Sequence, residues 1–260
     1  MTILDELANF AKDRVCKAEK KISKQELKRA AHELPRGDFA FENALKTENI
    51  AFICECKKAS PSKGIIAPDF PYLQIATEYE AAGADCISVL TEPERFLGND
   101  EYLSEIARTV SIPCLRKDFT VDDYMIYQAK VLGASAVLLI CSILDGEQIK
   151  EYIKTCDSLG LSALVEAHDE KEVRTAIDSG ARIIGVNNRN LKDFSIDTDN
   201  SRRLRELIPS DVLFVSESGV TSARDIEMLR EIGADAVLIG ETLMRAADKR
   251  QKLAELRGEL

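Results

Sequence analysis

Short apolar runs alternate with amphipathic stretches from residue 50 onward, and four of the runs share one pattern. In each, a glycine and an alanine come shortly before a run of β-branched and other apolar residues, at residues 83–90, 133–140, 180–186 and 233–240. A glycine at this point tolerates the left-handed backbone conformation that commonly ends a helix. The pattern therefore predicts a helix that stops at each glycine and a buried strand that follows at once.

Further apolar runs and helical patterns complete an alternating series. Four more strands are predicted at residues 50–56, 112–115, 162–165 and 212–215, and helices at residues 72–82, 123–132, 147–159 and 222–232. Strands that are apolar throughout and alternate with helices are typical of a parallel sheet covered by helices. Eight such units favour a closed (β/α)8 TIM barrel over an open doubly wound sheet, so the predicted fold class is α/β.

Residues 1–48 follow a different pattern. Leu4, Leu7, Ala8, Ala11 and Val15 fall at helical spacing, and a charged stretch at residues 20–29 reads as a solvated helix before the break at residues 35–37. This apolar stripe is too narrow for a core of its own. We therefore predict one or two helices that form an N-terminal extension, within a single barrel domain spanning residues 1–260.

Unusual polar residues gather where the predicted strands end. They occur after seven of the eight strands: Glu55 and Lys57, Thr91 and Glu92, Arg116 to Phe119, Glu166, Asn187 to Arg189, Glu217 to Gly219, and Gly240 with Glu241. The carboxyl ends of the strands form the face on which barrel enzymes carry their chemistry. A barrel that served only as a scaffold would have no reason to collect these residues on one rim.

Composition excludes several classes of function. Hydrophobic residues make up 45% and charged residues 31% of the chain, as in ordinary globular proteins, and the formal net charge is −10. Such a charge argues against nucleic-acid binding but not against a small anionic substrate, because a site responds to its local field. No segment is long and apolar enough to span a membrane, and no signal peptide is evident. A cytoplasmic protein with no obligate protein partner is expected.

No cofactor or metal is predicted. The seven cysteines form no CxxC pair and only two histidines are present, which disfavours a zinc site. Neither a GxGxxG nor a Walker-type motif occurs, so no nucleotide cofactor is indicated.

Three groups of strand-end residues suggest chemistry. Glu55 and Lys57 lie on one face of their strand, either as a structural ion pair or as the first wall of an active site. Beside Lys57, Lys117 could lose part of its proton affinity and act as a general acid or a Schiff-base nucleophile; an ion pair with Glu55 or Glu92 is the alternative. Glu166 is a candidate base whose pKa burial can tune.

The last two strands end in a predicted phosphate site. Its residues are Ser218, Gly219, Gly240 and Glu241, at the position where many barrels bind phosphate through backbone N–H groups. The histidines are expected outside the chemistry, with His168 on a rim loop and His32 in the extension.

The run ECKKASPSKG at residues 55–64 closely resembles the signature of the indole-3-glycerol phosphate synthase family. Further similar segments are SVLTE at 88–92, PCLRKDF at 113–119, LVE at 164–166, IGVNNR at 184–189, SESG at 216–219 and LIG at 238–240. The helical extension also resembles that of the family. Glu241 departs from the pattern, because small hydroxyl residues are familiar at this position in the family, and an inward carboxylate would repel phosphate.

The resemblance implies a reaction and a set of roles. The reaction closes the ring of 1-(2-carboxyphenylamino)-1-deoxy-D-ribulose 5-phosphate to give indole-3-glycerol phosphate, with loss of CO2 and water. Lys117 would be the general acid and Glu166 its partner in proton transfer. The remaining implied roles are sugar positioning by Glu55 and Asn187, phosphate binding by Lys57, Ser218, Gly219, Gly240 and Glu241, and anthranilate contacts by Ser60, Pro61, Phe96, Phe119 and Arg189.

Two other hypotheses remain open from the residues. Lys117 could form a Schiff base in another phosphate-binding barrel enzyme of the aldolase type. Alternatively, the chain could be a catalytically silent barrel that binds a phosphorylated ligand. The presence of the full set of acids, bases and phosphate residues argues against the silent barrel.

Overall fold

A computed structural model describes residues 2–190 and 193–260. Eight parallel strands close into a barrel in the order β1-β10-β9-β8-β7-β6-β5-β4, because β1 pairs with both β10 and β4. The barrel strands are β1 (Ala51–Cys56), β4 (Cys86–Leu90), β5 (Cys114–Lys117), β6 (Ala136–Ile140), β7 (Ser162–Ala167), β8 (Ile183–Asn187), β9 (Leu213–Glu217) and β10 (Ala236–Ile239). All eight predicted strands and the (β/α)8 fold are confirmed.

Helices cover the barrel, and the four predicted ones lie within a residue or two of their expected bounds. The helices are α1 (Ile3–Glu19), α2 (Lys24–Glu33), α3 (Ala40–Ala44), α4 (Tyr72–Ala81), α5 (Asp100–Thr109), α6 (Tyr124–Val131), α7 (Gly146–Leu159), α8 (Glu170–Asp178), α9 (Asp199–Arg205), α10 (Ala223–Glu231), α11 (Glu241–Arg245) and α12 (Lys249–Arg257). Within the described ranges, none of them is both long and apolar enough to cross a membrane.

The repeated glycine pattern has the structural basis that the sequence predicts. Gly83, Gly133, Gly180 and Gly233 all have positive φ angles between the end of a helix and the start of a strand. Two of the repeats continue with an aspartate, and these side chains accept hydrogen bonds from backbone N–H groups of neighbouring strands, Asp85 from Phe52 and Asp235 from Phe214, both at 2.7 Å. Each repeat therefore ends a helix, and the two with an aspartate also tie neighbouring strands together.

The extension contacts both ends of the barrel. At the carboxyl ends of the strands, Arg14 of α1 makes two hydrogen bonds to the buried carboxylate of Asp118, just beyond β5. At the opposite end, Phe41 of α3 is fully buried, and the N–H of Glu42 donates to Ser162 Oγ at the start of β7. Three helices are present where one or two were predicted. The division into a single domain with residues 1–48 as an extension stays a prediction.

A small hairpin after β1 was not anticipated. Strands β2 (Ala59–Ser60) and β3 (Gly64–Ile65) pair antiparallel around Pro61. Two-residue strands leave no hydrophobic period in the sequence, so Pro61 and Gly64 indicated only the end of β1. The hairpin carries Ser60 and Pro61 to the mouth of the barrel.

Candidate active site

A cavity of about 450 Å³ opens at the carboxyl ends of the barrel strands. Apolar side chains that point into the barrel, including Leu138, Ile140 and Leu238, contribute to its lining. All fourteen residues predicted for the site lie in its walls: Glu55, Lys57, Ser60, Pro61, Phe96, Lys117, Phe119, Glu166, Asn187, Arg189, Ser218, Gly219, Gly240 and Glu241. Seven segments far apart in sequence thus bring the predicted residues together. Their individual roles stay predictions.

Lys117, the last residue of β5, lies at the centre of the charged groups. Its Nζ is 3.0 Å from Glu166 Oε2 and 3.4 Å from Glu217 Oε2, and only 14% of its side chain is exposed. Burial alone would lower the pKa of this lysine, but the carboxylates of Glu166, Glu217 and Glu55 raise it well above its usual value. The suggested loss of proton affinity beside Lys57 is therefore wrong, and Lys117 is an ammonium that can donate a proton.

A hydrogen-bonded chain runs from the end of β7 to the end of β9. Asn187 Nδ2 donates to Glu166 Oε1 at 3.3 Å, and Ser218 Oγ donates to Asn187 Oδ1 at 3.0 Å. Burial would raise the pKa of Glu166, but Lys117 and His168 hold it well below the usual range. Glu166 is therefore an ionised carboxylate, fixed in orientation between Lys117 and Asn187.

Glu55 and Lys57 form the ion pair that the sequence left as one of two interpretations. Lys57 Nζ lies 2.6 Å from Glu55 Oε1, and Ser88 Oγ donates to the other carboxylate oxygen at 3.3 Å. Both side chains also line the cavity, so the pair is part of the site's wall rather than an alternative to it. A ligand that engages Lys57 competes with an existing partner.

Gly240, directly after β10, gives this ion pair its space. A Cβ on Gly240 would lie 2.5 Å from Glu55 Oε1 and 2.7 Å from Lys57 Nζ, so both side chains would have to move. If Lys57 holds the substrate phosphate as predicted, we expect Gly240→Ala to raise KM about tenfold and to change kcat less than about threefold, because Lys57 is displaced from the predicted phosphate end. Steady-state kinetics measures both.

Gly146→Ala is the matched control for this substitution. Its Cβ would meet neighbours only at 3.5 Å, which is ordinary contact at the start of α7. An unchanged KM in Gly240→Ala would contradict the placement of Lys57 at the phosphate end.

The predicted phosphate end has an unusual backbone. Ser218 has a φ of +68°, which is rare for a residue with a side chain, and Gly219 follows with a φ of +97°. A Cβ on Gly219 would crowd Thr198 and Ile196, so this position requires glycine. Such strained backbone is concentrated at ligand sites, which supports the assignment.

The Glu241 carboxylate has two cations beside it. Its Oε1 accepts a hydrogen bond from Arg245 Nε at 3.0 Å and lies 3.8 Å from Lys63 Nζ. The carboxylate thus has its own cations, and the N–H of Glu241 begins α11. The repulsion expected of an inward carboxylate is reduced accordingly.

Two aromatic rings and one cation also line the cavity. The rings of Phe96, after β4, and Phe119, after β5, are 6.1 Å apart between centroids and tilted by 41°. The Arg189 backbone N–H, after β8, donates to Asn187 Oδ1, and its guanidinium donates to the carbonyl of Phe194. The cavity can therefore accommodate a flat ring that carries a negative charge.

Glu217 is a functional group that the site prediction omitted. It closes β9, its side chain is 3% exposed, and its Oε1 is buried with no hydrogen-bond partner among the described residues. A Cβ on Gly185 of β8 would overlap this oxygen, so the glycine provides its space. The signal was present in the sequence, because Glu217 ends a strand as Glu55 and Glu166 do.

Burial and the neighbouring carboxylates give Glu217 an unusual pKa. Burial raises the pKa of Glu217, and the nearby carboxylates of Glu166 and Glu55 raise it further. Lys117 lowers it only in part, and the resulting pKa is about 7. An acid whose folded pKa lies above its unfolded value binds its proton more tightly when folded. The protonated Glu217 therefore stabilises the folded state by on the order of 3 kcal/mol below about pH 4.5. This contribution is lost as the pH rises through about 7.

We expect Glu217→Gln to show a smaller fall in unfolding free energy between pH 5 and pH 8 than the unsubstituted chain, because the titrating carboxylate is gone. Denaturant unfolding at the two pH values measures the difference. The same experiment on Glu227→Gln, an exposed glutamate of α10, should reproduce the original pH dependence. Equal falls in all three proteins would contradict the raised pKa.

Other polar residues lie outside the cavity wall. Glu92 accepts hydrogen bonds from the N–H groups of residues 94, 95 and 96, so it does not pair with Lys117 as one interpretation suggested. His32 packs near Tyr127 on the extension side. His168 lies on the loop after β7, as predicted, and is half-buried beside Glu166. In the described ranges, no group of three or more His, Cys, Asp and Glu is arranged for a metal ion.

The α1 helix also supplies part of the site. Ile3, Leu4 and Leu7 line the cavity mouth, although the sequence pattern indicated only that they face some apolar surface. The extension therefore contributes apolar surface to the pocket as well as helical structure.

Comparisons with known proteins agree with this geometry. The family model for indole-3-glycerol phosphate synthase matches residues 4–256. A protein of that name from Ruminiclostridium cellulolyticum is 60% identical over 98% of this chain and 99% of its own length, and one from Lachnoclostridium phytofermentans is 47% identical over 99% and 100%.

Solved structures show the fold alone. A 3-hexulose-6-phosphate synthase from Salmonella typhimurium superposes with a TM-score of 0.67 at 15% identity, over 80% of this chain and 97% of that one. Identity this low carries no functional argument. The family model and the curated relatives match nearly the whole chain, and they show that it belongs to the indole-3-glycerol phosphate synthase family.

Proposed function

We propose that the chain is a carboxy-lyase of tryptophan biosynthesis that converts 1-(2-carboxyphenylamino)-1-deoxy-D-ribulose 5-phosphate to indole-3-glycerol phosphate, CO2 and water. The observation that carries the proposal is the position of the Lys117 ammonium. It shares one cavity with a strained phosphate-type loop, an aromatic pair and Arg189. The substrate has a phosphate, an aromatic ring and a carboxylate for these three groups to bind.

The first step forms a carbon–carbon bond. Lys117 donates its proton to the ribulose carbonyl oxygen while the aryl carbon that bears the carboxylate attacks the carbonyl carbon. The ring nitrogen takes up the developing positive charge as an iminium. The ionised carboxylates of Glu166 and Glu55 stabilise this cation, and Glu166 Oε2 lies 3.0 Å from the donating nitrogen.

Loss of CO2 and then of water completes the indole. When the carboxylate leaves as CO2, its bonding electron pair returns to the ring and restores aromaticity. The aryl carbon holds no proton at this stage, so the following dehydration removes the new hydroxyl together with a proton from the adjacent methylene carbon that is bonded to the ring nitrogen, and the ring N–H is retained. Glu166 is the proposed acceptor of that proton, and Lys117 or Lys57 the donor to the departing hydroxyl.

Substrate binding follows the charges of the cavity. Ser218, Gly219, Gly240 and the N–H of Glu241 hold the phosphate with Lys57, while Asn187 and Glu55 orient the sugar hydroxyls. Ser60, Pro61, Phe96, Phe119 and Arg189 surround the anthranilate ring. We also propose a cytoplasmic location and no obligate protein partner, with a small phosphorylated anion as the substrate.

The Schiff-base alternative is disfavoured by the protonation of Lys117. An amine must be neutral to attack a carbonyl, and the carboxylates around this lysine stabilise its ammonium. Borohydride trapping with the carboxyphenylamino substrate tests this directly. An adduct on Lys117 would defeat the general-acid assignment.

The activity itself is tested by the appearance of indole fluorescence from that substrate. We expect turnover with the purified chain and no added metal or cofactor. A protein that binds the substrate without forming product would support the silent-barrel hypothesis instead.

A further inference from the structure

His168 is placed beside Glu166 by the strand and the helix that follow one another there. Glu166 and His168 are two residues apart at the end of β7, so both side chains leave the strand on the same side. Glu172, in the first turn of α8, folds back onto the histidine. Its Oε2 accepts a hydrogen bond from the backbone N–H of His168 at 2.8 Å and lies 3.0 Å from the ring nitrogen Nδ1.

The histidine ring is held from several elements. Ser142, after β6, donates to Glu172 Oε1 at 2.6 Å and lies 3.3 Å from His168 Nδ1. Asn200 of α9 donates to the His168 carbonyl at 3.1 Å. Because Nδ1 faces Glu172, the other nitrogen, Nε2, faces Glu166 Oε1 at 3.3 Å. Nε2 is buried and makes no aligned hydrogen bond to a described group.

We propose that His168, backed by Glu172, is a positioning residue that keeps the Glu166 carboxylate charged and oriented for the proton transfers of ring closure. This inference rests on the proposed function. His168 itself lies beside the cavity and acts on the reaction through Glu166.

The contact of His168 Nε2 with Glu166 Oε1 carries the inference, and a comparison of two carboxylates supports it. Glu166 and Glu217 contact the same lysine nitrogen, at 3.0 and 3.4 Å, and each side chain is 3% exposed. Their pKa values nevertheless shift in opposite directions, below the usual range for Glu166 and to about 7 for Glu217. Glu166 has two partners that Glu217 lacks, the Asn187 amide and the His168 ring.

Of those two partners, only the imidazole can carry a charge. Burial would lower the pKa of His168, but its contacts with Glu166 and Glu172 raise it to about 10. The ring is therefore an imidazolium at neutral pH. The other charged groups that act on Glu166 and its neighbours are Lys117 from β5, Glu217 from β9 and Glu55 from β1.

The chemistry explains why a second cation is needed. When Lys117 donates its proton to the carbonyl, it becomes a neutral amine and Glu166 loses its main counter-ion. Glu166 would then compete for protons with Glu217 and Glu55 nearby. His168 keeps a positive charge beside Glu166 throughout the cycle, so the carboxylate remains available as the later proton acceptor.

The pH profile of His168→Asn tests the proposal. Asparagine keeps a polar side chain beside Glu172 but cannot be charged. We expect the acidic limb of the kcat profile to move up by about one pH unit, so that kcat falls about tenfold at pH values below the limb and less than about threefold at pH 8.5. KM should change less than about twofold. Glu172→Gln should shift the limb in the same direction by a smaller amount.

His32→Asn is the matched control, because His32 is the other histidine of the chain and lies on α2, outside the cavity wall. Its profile should coincide with that of the unsubstituted protein. A His168→Asn protein with an unshifted limb, or with an equal loss at every pH, would overturn the proposal, since equal loss indicates a structural role only.

A second measurement reports on Glu166 without turnover. In protein labelled with carbon-13 at the glutamate carboxyl groups, the Glu166 signal is assigned by its absence in Glu166→Gln. We expect it to titrate at a higher pH in His168→Asn than in the unsubstituted protein, and an unmoved titration would overturn the proposal. If the unsubstituted protein forms no indole product, the proposed function fails, and this measurement still decides whether His168 controls Glu166.

Discussion

Lys117→Ala is expected to lower kcat about a thousandfold while the barrel stays folded. The substitution removes the proton donor and the cation that lies within 3.0 and 3.4 Å of two carboxylates. Indole fluorescence under substrate saturation measures the rate, and circular dichroism confirms the fold. Among the substitutions considered for activity, this one has the largest expected effect.

Lys117→Arg separates proton donation from charge balance. Arginine keeps a positive charge for Glu166 and Glu217 but does not give up its proton. We therefore expect a stable fold and a rate almost as low as that of Lys117→Ala. Lys154→Ala, at an exposed pair on α7, serves as the control with unchanged kinetics. Near-normal turnover in either Lys117 variant would contradict the general-acid role.

Arg14→Ala is expected to lower the unfolding free energy by about 3 kcal/mol. Arg14 donates to both oxygens of Asp118, at 2.9 and 2.6 Å, and the Asp118 side chain has no solvent exposure. Burial would raise the pKa of Asp118, but Arg14 and Arg116 hold it below its usual range. Removal of Arg14 leaves a buried carboxylate with weaker partners, a loss typical of broken buried pairs.

The expected shift in melting temperature is roughly 6–12 °C for a chain of this size. Arg174→Ala provides the matched comparison, since the ion pair of Arg174 with Glu170 on α8 is exposed at 67% and 59%. That variant should stay within about 0.5 kcal/mol of the original. Equal stabilities of the Arg14 and Arg174 variants would show that α1 is not anchored through Asp118.

The barrel was predictable because its signals are local. Each glycine and the apolar run after it indicate a helix end and a strand within ten residues, and parallel topology then places all strand ends on one face. The predicted site residues follow from that placement, which is why positions from Glu55 to Glu241 meet in one cavity.

The parts that were missed depend on distances that the sequence does not contain. Glu217 occupied a known strand end, but its significance comes from the space at Gly185 and from Lys117 3.4 Å away. The direction of the Lys117 pKa shift depends on which charges surround its ammonium group. The prediction placed the cation of Lys57 beside it, whereas the carboxylates of Glu166, Glu217 and Glu55 surround it in the structure. The contact between His168 and Glu166 was missed because a position after a strand does not reveal which way the loop folds back.

The extension meets its partners only across long stretches of chain. Arg14 is 104 residues from Asp118, and Glu42 is 120 residues from Ser162 and 140 from Arg182. During synthesis, residues 1–48 therefore leave the ribosome well before the strands that receive them. Contacts of such high sequence separation slow folding, because loop closure must precede them. The helices that frame the mouth and base of the barrel are thus among the last elements able to dock, after most of the sheet has emerged.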